Sequence, residues 1–191
     1  VRFDPFYMTS QYVKDKDDVT LVQKVVFDRL YWDKLDAGTI TDEEVKRGIC
    51  GRLPEHLQKS ACKVYENWYR NLPFINGIPE LLKDIKCKGG KVYLLSNISI
   101  GFAEDYITVP EIKNVLDLFD GFVFSGPIGI TKPNKEIFEY LLNKYVLKVE
   151  ECVFIDDNTN NISGAEKFGL KSILFTGDVN ELKFELLKLS K

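Results

Sequence analysis

Four short apolar runs recur between residues 92 and 175, and stretches of helical spacing separate them. The runs are Val92–Leu95, Phe122–Phe124, Cys152–Ile155 and Ser172–Phe175, and each reads as a buried strand. The helical patterns lie at 79–87, 101–107, 111–118, 133–145, 160–168 and 179–189. Strands alternating with helices build β-α-β units, and those imply a parallel sheet. The chain is therefore expected to be an α/β protein with a Rossmann-like core.

Residues 8–73 keep a different rhythm, helical throughout and almost without strand signal. Val22, Val25, Val26, Leu30 and Trp32–Asp33 follow a helical pattern that runs to Asp36-Ala37-Gly38, where Gly38 suits a helix stop. Thr41-Asp42-Glu43-Glu44 forms a capping box, with Thr41 as the cap and Glu44 three residues on. A further helix is expected from Glu55 to Arg70, closed by Leu72-Pro73. Residues 8–73 thus read as a helical insertion of four-helix type. Residues 74–191, joined by 1–7, read as the core. No flexible linker separates the two, so the insertion is expected to pack on the core.

Composition narrows the function. A chain of 191 residues has room for one domain with a smaller insertion. Its hydrophobic fraction of 45% and charged fraction of 29% are those of a soluble globular protein. A net charge of −3 offers no basic footprint for nucleic acid. No apolar run approaches the ~20 residues a membrane helix needs. Cys50, Cys62, Cys87 and Cys152 form no C-x-x-C pair, and with one histidine, His56, they make no zinc cluster. Reduced thiols in the cytoplasm, packed as buried hydrophobes, are the simplest reading. His56 reads as a surface residue, and the run from Glu181 to Lys191 as a packed terminal helix.

Ligands of open α/β sheets bind outside the carboxyl ends of the strands, and three strand ends here carry polar groups. Leu94-Leu95-Ser96-Asn97-Ile98-Ser99 ends a strand in a hydroxyl and an amide. These suit an anionic oxygen, or Ser96 or Ser99 caps the next helix. Phe154-Ile155-Asp156-Asp157-Asn158 ends a strand in two adjacent carboxylates. A hard divalent ion would relieve their repulsion, and Mg²⁺ commonly binds through one or two carboxylates plus phosphate; the alternative is an acidic helix start. Gly129-Ile130-Thr131-Lys132-Pro133-Asn134 sets a lysine before a helix-opening proline. It is either a cation for a phosphoryl oxygen or a solvated surface lysine. Their order, on one edge of the sheet, makes a site for a phosphate and its metal.

These segments resemble the motifs of the haloacid dehalogenase-like hydrolase superfamily. Leu95-Ser96-Asn97 is similar to its second motif, Thr131-Lys132-Pro133 to its third and Phe154-Ile155-Asp156-Asp157 to its fourth; residues 8–73 resemble the inserted cap. The resemblance implies that Ser96 and Asn97 hold the transferring phosphoryl group. It implies that Lys132 neutralises that group and that Asp156 and Asp157 bind Mg²⁺. It further implies an aspartyl-phosphate intermediate and a small phosphorylated substrate. The acidic pair favours a phosphatase over a metal-free dehalogenase, and the cap and Leu-Ser-Asn look most like the sugar-phosphate branch that includes glucose-1-phosphatases. Arg29, Tyr31, Trp32 and Arg70 are cap candidates for substrate choice.

The chain departs from the pattern at the first motif. No apolar strand ending in the nucleophilic aspartate precedes the cap, and Val1-Arg2-Phe3-Asp4-Pro5-Phe6 is the nearest imitation. Asp4 reads as part of an Asp-Pro turn. A clipped enzyme and a phospho-ligand binder without nucleophile are the two readings. On either, the strand between the second- and fourth-motif strands is absent, which leaves two rows of backbone groups open.

Overall fold

A computed structural model of the chain describes residues 3–73 and 75–189. The helical layer comprises α1 (Pro5–Ser10), α2 (Lys16–Val26), α3 (Arg29–Asp36), α4 (Asp42–Gly51) and α5 (Glu55–Asn67), and a 3-10 turn over Trp68–Asn71 follows. Side-chain oxygens of Asp4, Asp15, Asp28 and Thr41 cap four of these helices, and Thr41 with Glu44 completes the expected capping box. Val22, Val26, Val45, Ile49, Ala61 and Val64 are fully buried in one cluster. Those positions recur at helical spacing, so one stripe of each helix is apolar and the stripes meet.

The second half alternates α6 (Ile78–Cys87), β1 (Tyr93–Ser96), α7 (Ile100–Asp105), α8 (Pro110–Leu116), β2 (Gly121–Phe124), α9 (Ser125–Ile128), α10 (Lys135–Tyr145), β3 (Val153–Asp156), α11 (Thr159–Phe168), β4 (Lys171–Leu174) and α12 (Val179–Leu189). β1 pairs with β2 and β3 with β4, both parallel. The strands form two separate two-stranded sheets. Leu95 and Val123 of the first share an apolar cluster with Ile137 and Phe138 of α10, Ala165 of α11 and Leu170. Both sheets therefore rest on one helical layer, while β1 and β3 each keep an edge without a strand partner.

The two halves meet through an aromatic seam. Met8, Trp68 and Tyr69 pack with Phe102, Val109, Ile112, Leu116 and Phe124, and Trp68 stacks on Phe102 at 5.9 Å. The turn after α3 approaches α9 very closely. A Cβ on Gly38 would lie 2.5 Å from the Gly126 carbonyl oxygen, and Gly38 has φ +65°. Only glycine satisfies both conditions.

Several expectations need correction. Three of the four strands begin and end one residue from the expected bounds, which brings Ser96 and Asp156 inside β1 and β3. The Asp4-Pro5 turn instead opens α1: Pro5 sits at the first helical position and Asp4 Oδ1 accepts from Tyr7 N at 3.0 Å. Residues 5–7 lie in α1, which packs on α2 and α5 and, through Met8, joins the aromatic cluster that contains Phe124 of β2. The helix from Glu55 tightens into the 3-10 turn at Trp68. No cysteine is fully buried, and Cys87 is exposed.

Candidate active site

Lys132 is where the strand ends meet. Its Nζ donates to the Leu95 carbonyl oxygen at 2.8 Å, at the end of β1, and to Asp156 Oδ2 at 2.7 Å, at the end of β3. The Lys132 and Asp156 side chains are only 9% and 7% exposed. A buried pair of this kind costs several kcal/mol in desolvation and persists where further hydrogen bonds satisfy both ions. Those bonds are present. Asp156 Oδ1 accepts from Asn158 N at 2.9 Å and from Asn161 Nδ2 at 3.0 Å. The Phe154 ring centroid lies 5.7 Å from the ammonium.

The loop that carries Lys132 is clamped on both sides. Asn97 Oδ1 accepts from Lys132 N at 2.8 Å, and Asn97 Nδ2 donates to the Lys132 carbonyl oxygen at 3.0 Å. On the other side Pro133 lies against α11, where a Cβ on Gly164 would come within 2.5 Å of its carbonyl oxygen. The turn after β1 is held by Ser125, fully buried at the start of α9. Its hydroxyl accepts from Ile98 N at 2.9 Å and donates to the Ile98 carbonyl oxygen at 3.3 Å. Ser99 caps α7 through Phe102 N.

The five residues singled out in the sequence fare differently. Lys132 and Asp156 are in contact, and Ser96 directly follows the residue whose carbonyl oxygen Lys132 grips. The Ser96 hydroxyl is held only loosely, to the Asn97 carbonyl oxygen at 3.5 Å. Asn97 spends its side-chain amide on the Lys132 backbone, so the structure gives it a positioning contact where direct phosphoryl binding was expected. Asp157 is exposed beside Asp156. Two carboxylates at one strand end are hard oxygen donors of the kind Mg²⁺ takes alongside phosphate and water, and the residues fit the ion in that respect. Among the described residues no group of three His, Cys, Asp or Glu gathers around one point.

Two residues escaped the sequence reading. Asn161 is buried and braces Asp156. The signal was available, because Asn158 caps α11 and the residue three positions on from a cap sits in the first turn beside the strand end. Asp36, the last residue of α3, is the second. Burial pushes its carboxyl up to about 6, with Asp33 raising it further and the positive charges of Arg29 and Lys132 opposing the shift. Lys132 thus acts on a carboxyl of the helical layer as well as on Asp156.

The cap candidates are mostly committed elsewhere. Arg29 pairs with Asp33 at 2.7 Å on the surface. Tyr31 is buried within the helical layer with Arg52 over its ring at 5.6 Å. Arg70 is exposed and lies over Tyr69. Trp32 donates its indole N–H to the Val26 carbonyl oxygen at 2.8 Å, and it lines a crevice of about 200 Å³ at the seam with Tyr65, Trp68 and Phe102.

The chain is similar to known proteins. Residues 12–169 match the family description of haloacid dehalogenase-like hydrolases. A sesquiterpene phosphatase of Aspergillus oryzae is 32% identical over 96 residues, which are 50% of this chain and 47% of that protein. A D-ribitol-5-phosphate phosphatase of Bacteroides thetaiotaomicron is 28% identical over 151 residues, 74% of this chain and 69% of that protein. The chain spans less than half the length of the first, and 27% of a longer fungal relative. A family enzyme from Bacteroides thetaiotaomicron, solved with magnesium and inorganic phosphate, superposes with TM-score 0.63 at 20% identity over 88% of this chain and 91% of that one. By its match over residues 12–169, the chain belongs to the haloacid dehalogenase-like hydrolase family.

Proposed function

We propose that this hydrolase-family chain carries the phosphate site of a Mg²⁺-dependent phosphatase that acts on a small phosphorylated metabolite, a sugar phosphate, through an aspartyl-phosphate intermediate. The observation that carries the reading is Lys132, gripped between the end of β1 and Asp156. A buried ammonium held this way is preorganised for a phosphoryl oxygen and needs no rearrangement to meet it. The loosely held Ser96 hydroxyl supplies a donor on the β1 side. Asp156 and Asp157 would hold Mg²⁺, which when bound neutralises charge on the phosphoryl oxygens. Asn97 and Asn161 act through other groups: one fixes the lysine's backbone, the other the carboxylate's orientation.

In this mechanism the attacking carboxylate comes from an aspartate at the end of an apolar strand, and the open edges of β1 and β3 are where such a strand would pair. Asp4 does not serve, because its side chain caps α1. The same observation favours a second reading, a phospho-ligand binder that does not turn over. The test is to supply an apolar strand ending in aspartate ahead of residue 1, add Mg²⁺, and follow p-nitrophenyl phosphate. Turnover that vanishes in Asp156→Ala supports the enzyme. Phosphate binding without turnover on any sugar phosphate supports the binder.

A further inference from the structure

We propose that Cys50 and Cys62 are a redox-active pair, which hydrogen peroxide converts to a reversible disulfide that ties α4 to α5. The pair lies within the helical layer, so the inference stands apart from the phosphatase reading.

The two sulfurs are 3.6 Å apart and in hydrogen-bonding contact, although they are 12 residues apart in the chain. Their neighbours hold them there. Lys46 Nζ lies 3.5 Å from Glu66 Oε1. Cys50 follows Lys46 by one helical turn, and Cys62 precedes Glu66 by one. The two contacts are therefore successive rungs between antiparallel helices. On the other side, one further turn back along α5, Gln58 Nε2 donates to the carbonyl oxygens of Cys50 at 3.1 Å and Leu53 at 3.2 Å. The cysteine pair is thus fixed by a contact above and a contact below.

A disulfide holds its sulfurs about 2.05 Å apart, so these two must close by roughly 1.5 Å. Cys50 sits in the last turn of α4, and the Gly51 that follows it has open space where a side chain would stand. Helix ends fray more readily than helix middles, and that turn supplies the movement. Both cysteines are half-buried, which keeps them within reach of a small oxidant.

Burial, and after it the bond to Cys50, pushes the Cys62 thiol up to about 11. Cys62 therefore keeps its proton and Cys50 attacks first. The Cys50 thiolate takes one oxygen of hydrogen peroxide: an S–O bond forms, the O–O bond breaks, and the departing hydroxide gains a proton and leaves as water. The Cys62 sulfur then attacks the sulfur of the Cys50 sulfenic acid. The S–S bond forms, the S–O bond breaks, and the Cys62 proton leaves with that oxygen as a second water. Two thiols lose two electrons and one peroxide gains them. The second step is intramolecular between atoms already in contact, which favours it over further oxidation or attack by another molecule.

The test exposes the reduced full chain to hydrogen peroxide, alkylates the remaining thiols with N-ethylmaleimide and maps the tryptic peptides without reductant. Trypsin cleaves after Arg47, Arg52, Lys59 and Lys63, so the bond would join two short peptides. Their linked mass is expected, and dithiothreitol should return both to free thiols. The oxidised chain should melt about 5–10 °C above the reduced chain, because the bond closes a short loop; Cys62→Ser should show no such rise. In that variant the Cys50 sulfenic acid has no second sulfur, so dimedone should label it there and not in the native chain. Cys50 and Cys62 alkylated singly, under conditions that oxidise the exposed Cys87, would overturn the proposal. A link from either to a cysteine of another molecule, or equal dimedone labelling of both chains, would overturn it too.

Discussion

The helical layer and the second sheet, β3 with β4, solve the same burial problem with opposite success. Seven side chains of the helical cluster are fully buried. In β3 and β4 no residue is fully buried; Ile155 and Leu174 are 37% and 43% exposed, and Phe184 on α12 is 60% exposed. The contrast extends to strand edges. The outer edge of β2 is closed by Tyr145, whose hydroxyl accepts from Phe122 N and donates to the Phe122 carbonyl oxygen. Among the described residues, the edges of β1 and β3 away from their partners have no strand against them. What joins the two sheets is the apolar cluster of α10 and α11 and, at their carboxyl ends, a buried lysine. The lesson is that the proposed phosphate site coincides with the joint between the two sheets, where Lys132 bridges the ends of β1 and β3.

Lys132→Ala is the sharpest way to break that comparison. It leaves Asp156 buried without its cation, and a loss of about 3–5 kcal/mol is expected from urea unfolding. A loss under about 1 kcal/mol, the size of a surface ion pair, would show that the joint does not depend on it. Next in size, Ile49→Ala in the helical layer removes a fully buried side chain and should cost about 2–5 kcal/mol. Ile155→Ala on β3 should cost about 0.5 kcal/mol or less, since that side chain is partly in water already. Equal losses at the two positions would erase that contrast. Asn161→Ala removes one donor from Asp156 and should cost about 1–3 kcal/mol, with Mg²⁺-dependent phosphate binding weakened alongside.

One effect has the opposite sign. The Asp36 carboxyl lies at about 6 in the folded chain against the ordinary 3.8. Between these values the folded state holds more protons than the unfolded state, so stability falls as pH rises through that window. The contribution is fully favourable below the unfolded value and is lost above the folded one. Asp36→Asn should therefore raise stability at pH 7 by about 1–2 kcal/mol and flatten that part of the pH profile. Thermal melts across pH 3.5–8 check this, and a variant that parallels the native chain would contradict it.

Much of this was legible in the residues. The period of the apolar runs marked the four strands, because strands buried by flanking helices read as short apolar blocks whatever their neighbours are. Asp156 was legible because a charge at the end of an apolar strand has few structural uses, and Lys132 because it stands before Pro133, between the two strand ends in the order of the chain. For Asn97 the structure adds the clamp on the Lys132 backbone, which was not legible, since an amide that binds an anion and one that clamps a backbone look alike in a sequence. Asp36 stayed hidden because the shift of its carboxyl comes from burial. Among the charges of Arg29-Leu30-Tyr31-Trp32-Asp33-Lys34-Leu35-Asp36 nothing local separates it from Asp33, which pairs with Arg29 on the surface. The α1 helix was missed because Asp-Pro opens helices and turns alike.

The most direct test of the central claim is a ³¹P NMR titration of inorganic phosphate into the chain with and without Mg²⁺, repeated on Lys132→Ala and Asp156→Asn. Magnesium-dependent binding in the native chain that disappears in both variants is the expected result. Binding of equal strength in all three proteins, or independent of the metal, would contradict a phosphate site at Lys132.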